Sequence, residues 1–212
     1  MSHRFLIAIA LTAATLMIAG LWVVDQPLVL AIHKSAFENL PFFVDGLKFL
    51  DTVFGMHVSY WLAPSVCLML GLLALFLSSR TRLSRRLAIA VFSAGLVQAA
   101  TIGLMMLGKN SFGRMRPLDL LASGDWSVQW FAGGGSFPSG HGSFYFGLFL
   151  PLAAAAPRVW QRIVLLVLPI FAISARLDMG KHFLSDVAAS ALVAACVAML
   201  VRFLLRRRLV SN

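Results

Sequence analysis

Residues 5–24 read FLIAIALTAATLMIAGLWVV, a run of twenty residues without a charged side chain. A helix needs about 20 apolar residues to cross the roughly 30 Å hydrocarbon core of a bilayer, and this run has that length. The short basic start before it also suits a signal peptide, but no clear small-residue cleavage pattern follows residue 24. The stretch therefore predicts a retained membrane-spanning helix.

The rest of the chain repeats this pattern. Further apolar stretches cover residues 52–79, 87–108, 141–157, 163–175 and 186–201. Of the 212 residues, 60% are hydrophobic and 12% are charged, and the mean hydropathy is +0.88, whereas about a quarter of a soluble domain is charged. The sequence predicts a single all-α domain, residues 1–212, with six transmembrane helices.

The distribution of charge predicts the orientation in the membrane. If the N-terminus is cytoplasmic, eleven arginines and no acid fall on the cytoplasmic side, whereas all eight acids and the other seven bases fall outside. The cytoplasmic group, the arginine collar, consists of Arg4, Arg80, Arg82, Arg85, Arg86, Arg158, Arg162, Arg202, Arg206, Arg207 and Arg208. Short cytoplasmic loops are enriched in Lys and Arg, so both termini are predicted inside. The collar suits anionic lipid headgroups, and the net charge of +10 does not indicate nucleic-acid binding.

Two further features have structural interpretations. Residues 28–49 are apolar but interrupted by charges and Pro41, which predicts one or two short amphipathic helices on the outer membrane face, with a plain connecting loop as the alternative. Cys67 and Cys196 each lie in an apolar run without metal-ligand spacing. We interpret them as small buried apolar groups.

Three polar clusters fall on the outer side: residues 109–117 (KNSFGRMRP), residues 137–141 (FPSGH), and a third group of Arg176, His182 and Asp186. Lysine and arginine at a membrane surface attract phosphate, and a guanidinium presents a planar fork that matches phosphate oxygens. Taken alone, the first cluster is equally a solvated basic loop.

The second and third clusters contain two histidines. Ser139 and Gly140 open an apolar helix, where free backbone N–H groups and the positive dipole end favour an anion. An ordinary serine cap is the alternative, but a cap does not call for His141. His182 and Asp186 are four residues apart, a spacing that puts both on one face of a helix. The carboxylate would then hold one imidazole nitrogen and leave the other free to attack, although a simple stabilising pair has the same spacing.

Together these clusters resemble the three-part signature of the type 2 phosphatidic acid phosphatase family, K-x6-RP, PSGH and SR-x5-H-x3-D. The matching residues, in order and with the family's spacing, are Lys109, Arg116, Pro117, 138–141, Arg176, His182 and Asp186. Ala175 stands where the family has a serine, a change for which we expect a small effect. The motif core covers residues 109–186.

The resemblance implies a role for each matching residue. His182 would attack phosphorus, oriented by Asp186, and His141 would protonate the leaving oxygen and later activate water. The implied phosphate-binding residues are Lys109, Arg116, Ser139, Gly140 and Arg176. Arg114 lies outside the pattern and is predicted to contact these residues or the lipid headgroup.

The resulting hypothesis is a metal-independent lipid phosphatase without a cofactor, acting through a phosphohistidine in a bacterial inner membrane with a periplasm-facing site. Its predicted partners are the bilayer and a lipid phosphate, with no nucleic acid and no obligate protein partner. No His-x-x-x-His or carboxylate cluster has metal-ligand spacing. The alternatives are a lipid phosphotransferase with the same intermediate and a non-catalytic membrane scaffold or lipid transporter. Selectivity is expected in the loop 118–136, where the glycines 133–135 suit either mobility or a tight approach to the start of the next helix.

Overall fold

The computed structural model of the chain describes residues 2–35, 38–78 and 84–210, without the side chains of residues 206–210. All regular structure in these segments is helical, which confirms the predicted all-α class. The helices are α1 (His3–Ala19), α2 (Asp25–Lys34), α3 (Pro41–Val53), α4 (Leu62–Ser78), α5 (Arg85–Phe112), α6 (Pro117–Ser123), α7 (Gly140–Ala155), α8 (Val159–Asp178) and α9 (Leu184–Val210). A π-helical turn, Gly20–Val24, joins α1 to α2.

Helix α7 forms the centre of the bundle. It packs against α5, α8 and α9, while α4 packs on α5 and α1 packs on α9. Thirteen of the 16 residues of α7 are buried. The helices around it turn apolar side chains outward; α4, for example, buries only Pro64 and Gly71 of its 17 residues. Outward apolar faces of this extent require an apolar solvent, which supports a membrane location.

Four helical stretches are long and apolar enough to cross a bilayer: His3–Lys34, Arg85–Ser123, Val159–Asp178 and Leu184–Leu205. Two of the six predicted spans are shorter, since α4 has 17 residues and α7 has 16, against the roughly 20 that a perpendicular helix needs. Helix α7 is enclosed by its neighbours, so its ends meet protein before they meet lipid. Six spans therefore remain a prediction.

The segment 28–49 contains one of the one or two short amphipathic helices predicted for it. Its first residues continue the first helix as α2, and only α3 is a separate helix. Helix α3 begins at Pro41, whose fixed φ suits the first helical position, and it packs on α8. It is amphipathic, because it buries Leu47 and Asp51 and exposes Phe42.

The stretch predicted as a span from residue 52 begins as a helix only at Leu62. The residues before it form turns around Gly55, whose φ of +71° is a left-handed conformation that ends α3. These turns bring Tyr60 over the start of α7, where a Cβ on Gly140 would lie 3.0 Å from the Tyr60 hydroxyl oxygen.

Contacts at the helix ends define two poles of the bundle. Ser2 N donates to Ala154 O at 2.6 Å, so the start of α1 lies beside the end of α7. At the other pole Ser185 N donates to Asp25 Oδ1 at 3.0 Å, which joins the start of α9 to the end of the π turn. At the first pole Arg86 and Arg162 donate to the carbonyls of Ala155 and Ala156. Of the arginine collar, Arg80, Arg82 and the side chains of residues 206–208 lie outside the described residues.

Candidate active site

The second and third polar clusters meet at the pole where α7 and α9 begin. Ser139 N donates to the Asp186 carbonyl at 3.2 Å, and Ser190 Oγ donates to the Ser139 carbonyl at 2.9 Å. Ser139 Oγ in turn accepts from Gly142 N at 3.3 Å, so it caps α7. The first cluster reaches this place because Gly108, on α5, leaves room for Pro138: a Cβ at residue 108 would lie 2.6 Å from the proline Cδ.

His182 and Asp186 lie together but not on one helical face. Helix α9 begins at Leu184, so His182 precedes it. The prediction that the two side chains share one face of a helix is therefore wrong, because the chain turns at Gly180, where φ is +60°, before the helix starts. Asp186 Oδ2 accepts from Phe183 N at 2.8 Å and lies 3.6 Å from His182 Nδ1. The pair is thus made by a helix start, where a carboxylate satisfies a free N–H group.

The environment of His182 keeps its imidazole neutral. The ring is buried and lies outside the long apolar helices. Burial lowers the pKa of His182 to about 4, and the Asp186 carboxylate opposes that shift only in part. Nδ1 faces Asp186 and also lies 3.5 Å from Ser136 Oγ. Nε2 is therefore the nitrogen left to attack, in a form that carries its lone pair at neutral pH.

Asp186 has more partners than the sequence indicates. Its Oδ2 accepts from Ser136 Oγ at 2.6 Å, and its Oδ1 accepts from Arg114 Nη1 at 2.6 Å. Arg114 is 1% exposed and also donates to Asp25 Oδ2 at 2.8 Å. Two contacts were predicted for Arg114, one with the matching residues and one with the lipid headgroup. The structure shows the first, because Arg114 bonds to Asp186.

His141 also has an aspartate partner, on a different helix. Its Nε2 lies 3.0 Å from Asp51 Oδ2, and Asp51 Oδ1 accepts from Tyr145 Oη at 2.8 Å. Asp51 comes from α3, whose packing on α8 brings it to the site. Sequence reasoning missed this residue and Asp25, treating both as acids on the outer side. The one available signal was a carboxylate beside a long apolar run, which favours a protein partner over lipid.

Three cations converge near the two histidines. The charges of Arg116 and Arg176 act on Lys109, and those of Lys109 and Arg176 act on His141 and His182. Lys109 Nζ donates to the Gly135 carbonyl. Arg176 Nε is buried without a hydrogen-bond partner among the described residues. Like charges held together in this way favour an anion between them, because it offsets their repulsion and supplies acceptors.

The loop 118–136 is tied to the end of α5 by backbone hydrogen bonds. Met115 N donates to Gln129 O, Phe131 N to Phe112 O, and Ser136 N to Arg114 O, at 2.8 to 2.9 Å. A Cβ on Gly134 would lie 2.3 Å from the Arg114 carbonyl oxygen. Gly134 therefore approaches the backbone of Arg114, rather than the helix start that the sequence suggested, and this contact sets the backbone position of Arg114.

The described residues contain no group of three or more His, Cys, Asp or Glu side chains arranged to hold a metal ion. Cys67 and Cys196 are free thiols, and Cys196 is exposed on the outside of α9 rather than buried as expected. Its position on an apolar helix places the thiol toward the surrounding lipid.

The model of the PAP2 superfamily matches residues 86–209, which include all three polar clusters. No curated protein and no solved structure matches the chain.

Proposed function

Because the chain belongs to the PAP2 superfamily, whose members are phosphatases, we propose that it is a membrane enzyme that hydrolyses a lipid phosphate through a phosphohistidine. One observation carries this proposal: a buried, neutral His182 next to Asp186 lies within the field of Lys109 and Arg176. A nucleophile and an anion-binding group of cations are what phosphoryl transfer requires.

In the first step the lone pair of His182 Nε2 forms a bond to phosphorus while the bond from phosphorus to the lipid oxygen breaks. His141, as imidazolium, gives its proton to that oxygen, and the lipid alcohol or lipid monophosphate leaves. Lys109, Arg116 and Arg176 stabilise the charge on the phosphoryl oxygens, with the hydroxyl of Ser139 and the close approach allowed by Gly140.

In the second step water replaces the histidine. His141, now neutral, takes a proton from water as the oxygen bonds to phosphorus and the P–N bond breaks. Phosphate leaves, His182 is neutral again, and His141 is again protonated. Asp186 supports both steps, because its carboxylate stabilises the positive imidazole ring of the phosphohistidine.

The substrate class follows from the site's position. The site lies at one pole of a bundle whose outer helices are apolar, so a phosphate there is at the height of a lipid headgroup. With the N-terminus in the cytoplasm, this pole faces the periplasm, and six spans place both termini inside. The substrates to be tested are undecaprenyl diphosphate, lipid A, phosphatidylglycerophosphate and phosphatidate.

The test is release of inorganic phosphate by the detergent-purified protein from each of these lipids, with EDTA present. His182→Ala is the control. Release by the wild type and none by the variant is the expected result, and the preferred lipid is read from the same panel. Without release from any lipid, even after divalent metals are restored, hydrolysis is rejected. Transfer to an added acceptor lipid then distinguishes a phosphotransferase from a non-catalytic scaffold.

A further inference from the structure

We propose that Asp25, at the end of the π turn in the first helix, is a positioning residue for the reaction: through Arg114 and Ser185 it holds Asp186 against His182. The inference rests on the proposed function. Asp25 lies outside the residues matched by the family model, 86–209, and it contacts neither histidine. Its role would be exerted entirely through other side chains.

Asp25 is anchored on the start of α9. It is 6% exposed, its Oδ1 accepts from Ser185 N at 3.0 Å, and its Oδ2 accepts from Ser185 Oγ. Ser185 is the second residue of α9, next to Asp186. The carboxylate therefore satisfies a free N–H group of this helix and fixes the backbone that carries Asp186.

Arg114 connects the two carboxylates. Its Nη2 donates to Asp25 Oδ2 at 2.8 Å, and its Nη1 donates to Asp186 Oδ1 at 2.6 Å. The guanidinium carbon lies 4.0 Å from the centre of the Phe183 ring and 4.5 Å from that of Trp130. Nη1 and Nη2 are thus both bonded to carboxylates and two rings pack on the guanidinium, while Nε has no hydrogen-bond partner among the described residues. These contacts restrict the orientation of the guanidinium and, through it, that of Asp186 Oδ1.

The charges of the group explain why a second aspartate is needed. Arg114 and Asp186 alone would form a neutral pair, and the carboxylate would have little field left for His182. With Asp25 the three groups carry one net negative charge. This charge is opposite in sign to that of the imidazole ring when His182 becomes a phosphohistidine. The attraction between them is stronger in a buried site than in water and favours the intermediate.

The π turn in the first helix brings the Asp25 carboxylate to the start of α9. A π turn inserts an extra residue into a helix and changes the direction of the side chains after it; such turns are frequent at functional sites. Here the turn is Gly20–Val24, and Asp25 follows it directly. A Cβ on Gly20 would lie 2.8 Å from Asp25 Oδ1 and 2.9 Å from Ser185 N, so glycine is what lets the first helix approach α9 this closely.

The test compares Asp25→Asn with Asp178→Asn in steady-state phosphate release. Asp178 is a suitable control because it is also a buried carboxylate, 7% exposed, and it accepts a backbone N–H from Leu40 rather than bonds from Arg114 and Ser185. We expect Asp25→Asn to lower kcat by about 10- to 100-fold, the size of loss seen when outer groups that orient the ligands of a metal site are removed. KM should stay within about twofold, since no phosphate ligand changes, and Asp178→Asn should keep the wild-type kcat.

A second variant guards against misfolding of Asp25→Asn. Gly20→Ala keeps the charge but displaces the carboxylate, and it should also lower kcat, whereas Gly103→Ala, with nothing within 4 Å of the added methyl, should not. Wild-type kcat in both Asp25→Asn and Gly20→Ala overturns the inference. So does a loss that disappears after correction for the folded fraction. No phosphate release by the wild type rejects the proposed function, and this inference with it; wild-type release with unaffected variants rejects the inference alone.

Discussion

Among single residues, the two histidines of the site differ in their surroundings. His182 is 3% exposed, and its Asp186 partner is fully buried. The His141 side chain is 14% exposed. It contacts an aspartate from α3, and a tyrosine on its own helix donates to that aspartate. The buried ring suits a nucleophile that stays neutral, and the more exposed ring suits a group that exchanges protons with substrate and water.

The pH dependence of kcat/KM follows from these assignments. Burial lowers the pKa of His182 to about 4, so the neutral, reactive form is present above that value and lost as the pH falls through it. We expect activity to persist at pH 5, where a histidine of ordinary pKa near 6.5 would lose roughly 30-fold. An alkaline limb appears where His141 loses its proton, which gives a bell-shaped profile.

This profile is measured from about pH 3 to 10, and the second ionisation of a phosphate monoester, near pH 6, is fitted as a fixed constant. An acid limb centred near 6.5 would contradict the depressed pKa of His182. A rate that is flat from acid to alkali would contradict the assignment of the histidine pair.

Asp51→Asn tests the second aspartate. The amide keeps the shape but removes the charge that faces His141 Nε2, so the proton donor is less well held. We expect kcat to fall by about tenfold or more with little change in KM. Asp45→Asn is the matched control, because Asp45 lies exposed on the same helix. Equal activity of the two variants would remove Asp51 from the mechanism.

At the level of helices, glycine sets how closely α4 and α5 pack. A Cβ on Gly71 would lie 2.6 Å from Phe92 Cα, and a Cβ on Gly95 would lie 2.8 Å from Leu68 N. Both collisions are with backbone atoms, which cannot rotate away. Small residues that let two backbones approach are the usual means of packing helices in lipid, where burial of apolar surface no longer favours association.

Gly71→Ala should therefore lower the free energy of unfolding by about 1–3 kcal/mol, the cost of overpacking a tight interface. Gly103→Ala on α5 should be neutral or stabilising, since its methyl meets no atom and alanine is the better helix former. The test compares the midpoints of thermal unfolding of the two variants and the wild type in detergent. If Gly71→Ala unfolds at the wild-type temperature, α4 and α5 have room for a methyl group at residue 71.

For the whole molecule, the arrangement of the poles predicts the topology. The site and the end of the π turn share one pole, and the start of α1 lies at the other. With the arginine collar on the cytoplasmic side, the loop 118–136 is periplasmic and the α7–α8 connection is cytoplasmic. Ser127 and Arg158 are exposed residues in these two places.

Cysteine labelling tests this orientation. In a background with Cys67 and Cys196 replaced by alanine, Ser127→Cys should react with a membrane-impermeant maleimide in intact bacterial spheroplasts. Arg158→Cys should react only after permeabilisation. The reverse pattern would place the site on the cytoplasmic side. Labelling of both cysteines in intact spheroplasts would mean that the membrane does not separate the two positions.

The membrane class, the helical fold and the three polar clusters could all be predicted from the amino-acid sequence. These are local properties: the length of an apolar run and the spacing within a motif are read directly along the chain. The clusters also identified the family, although local spacing misplaced His182 on the helix that begins after it. The count of spans was less secure, because an enclosed helix such as α7 need not have the length of one that faces lipid.

The contacts that hold the two histidines become visible only in the folded chain. Asp25 is 160 residues from Ser185, and Asp51 is 90 residues from His141. Which distant carboxylate meets which buried partner depends on how α1 packs on α9 and α3 on α8, and no periodicity encodes those contacts. Burial then sets the charge states, since a carboxylate or imidazole removed from water takes its protonation from its few neighbours.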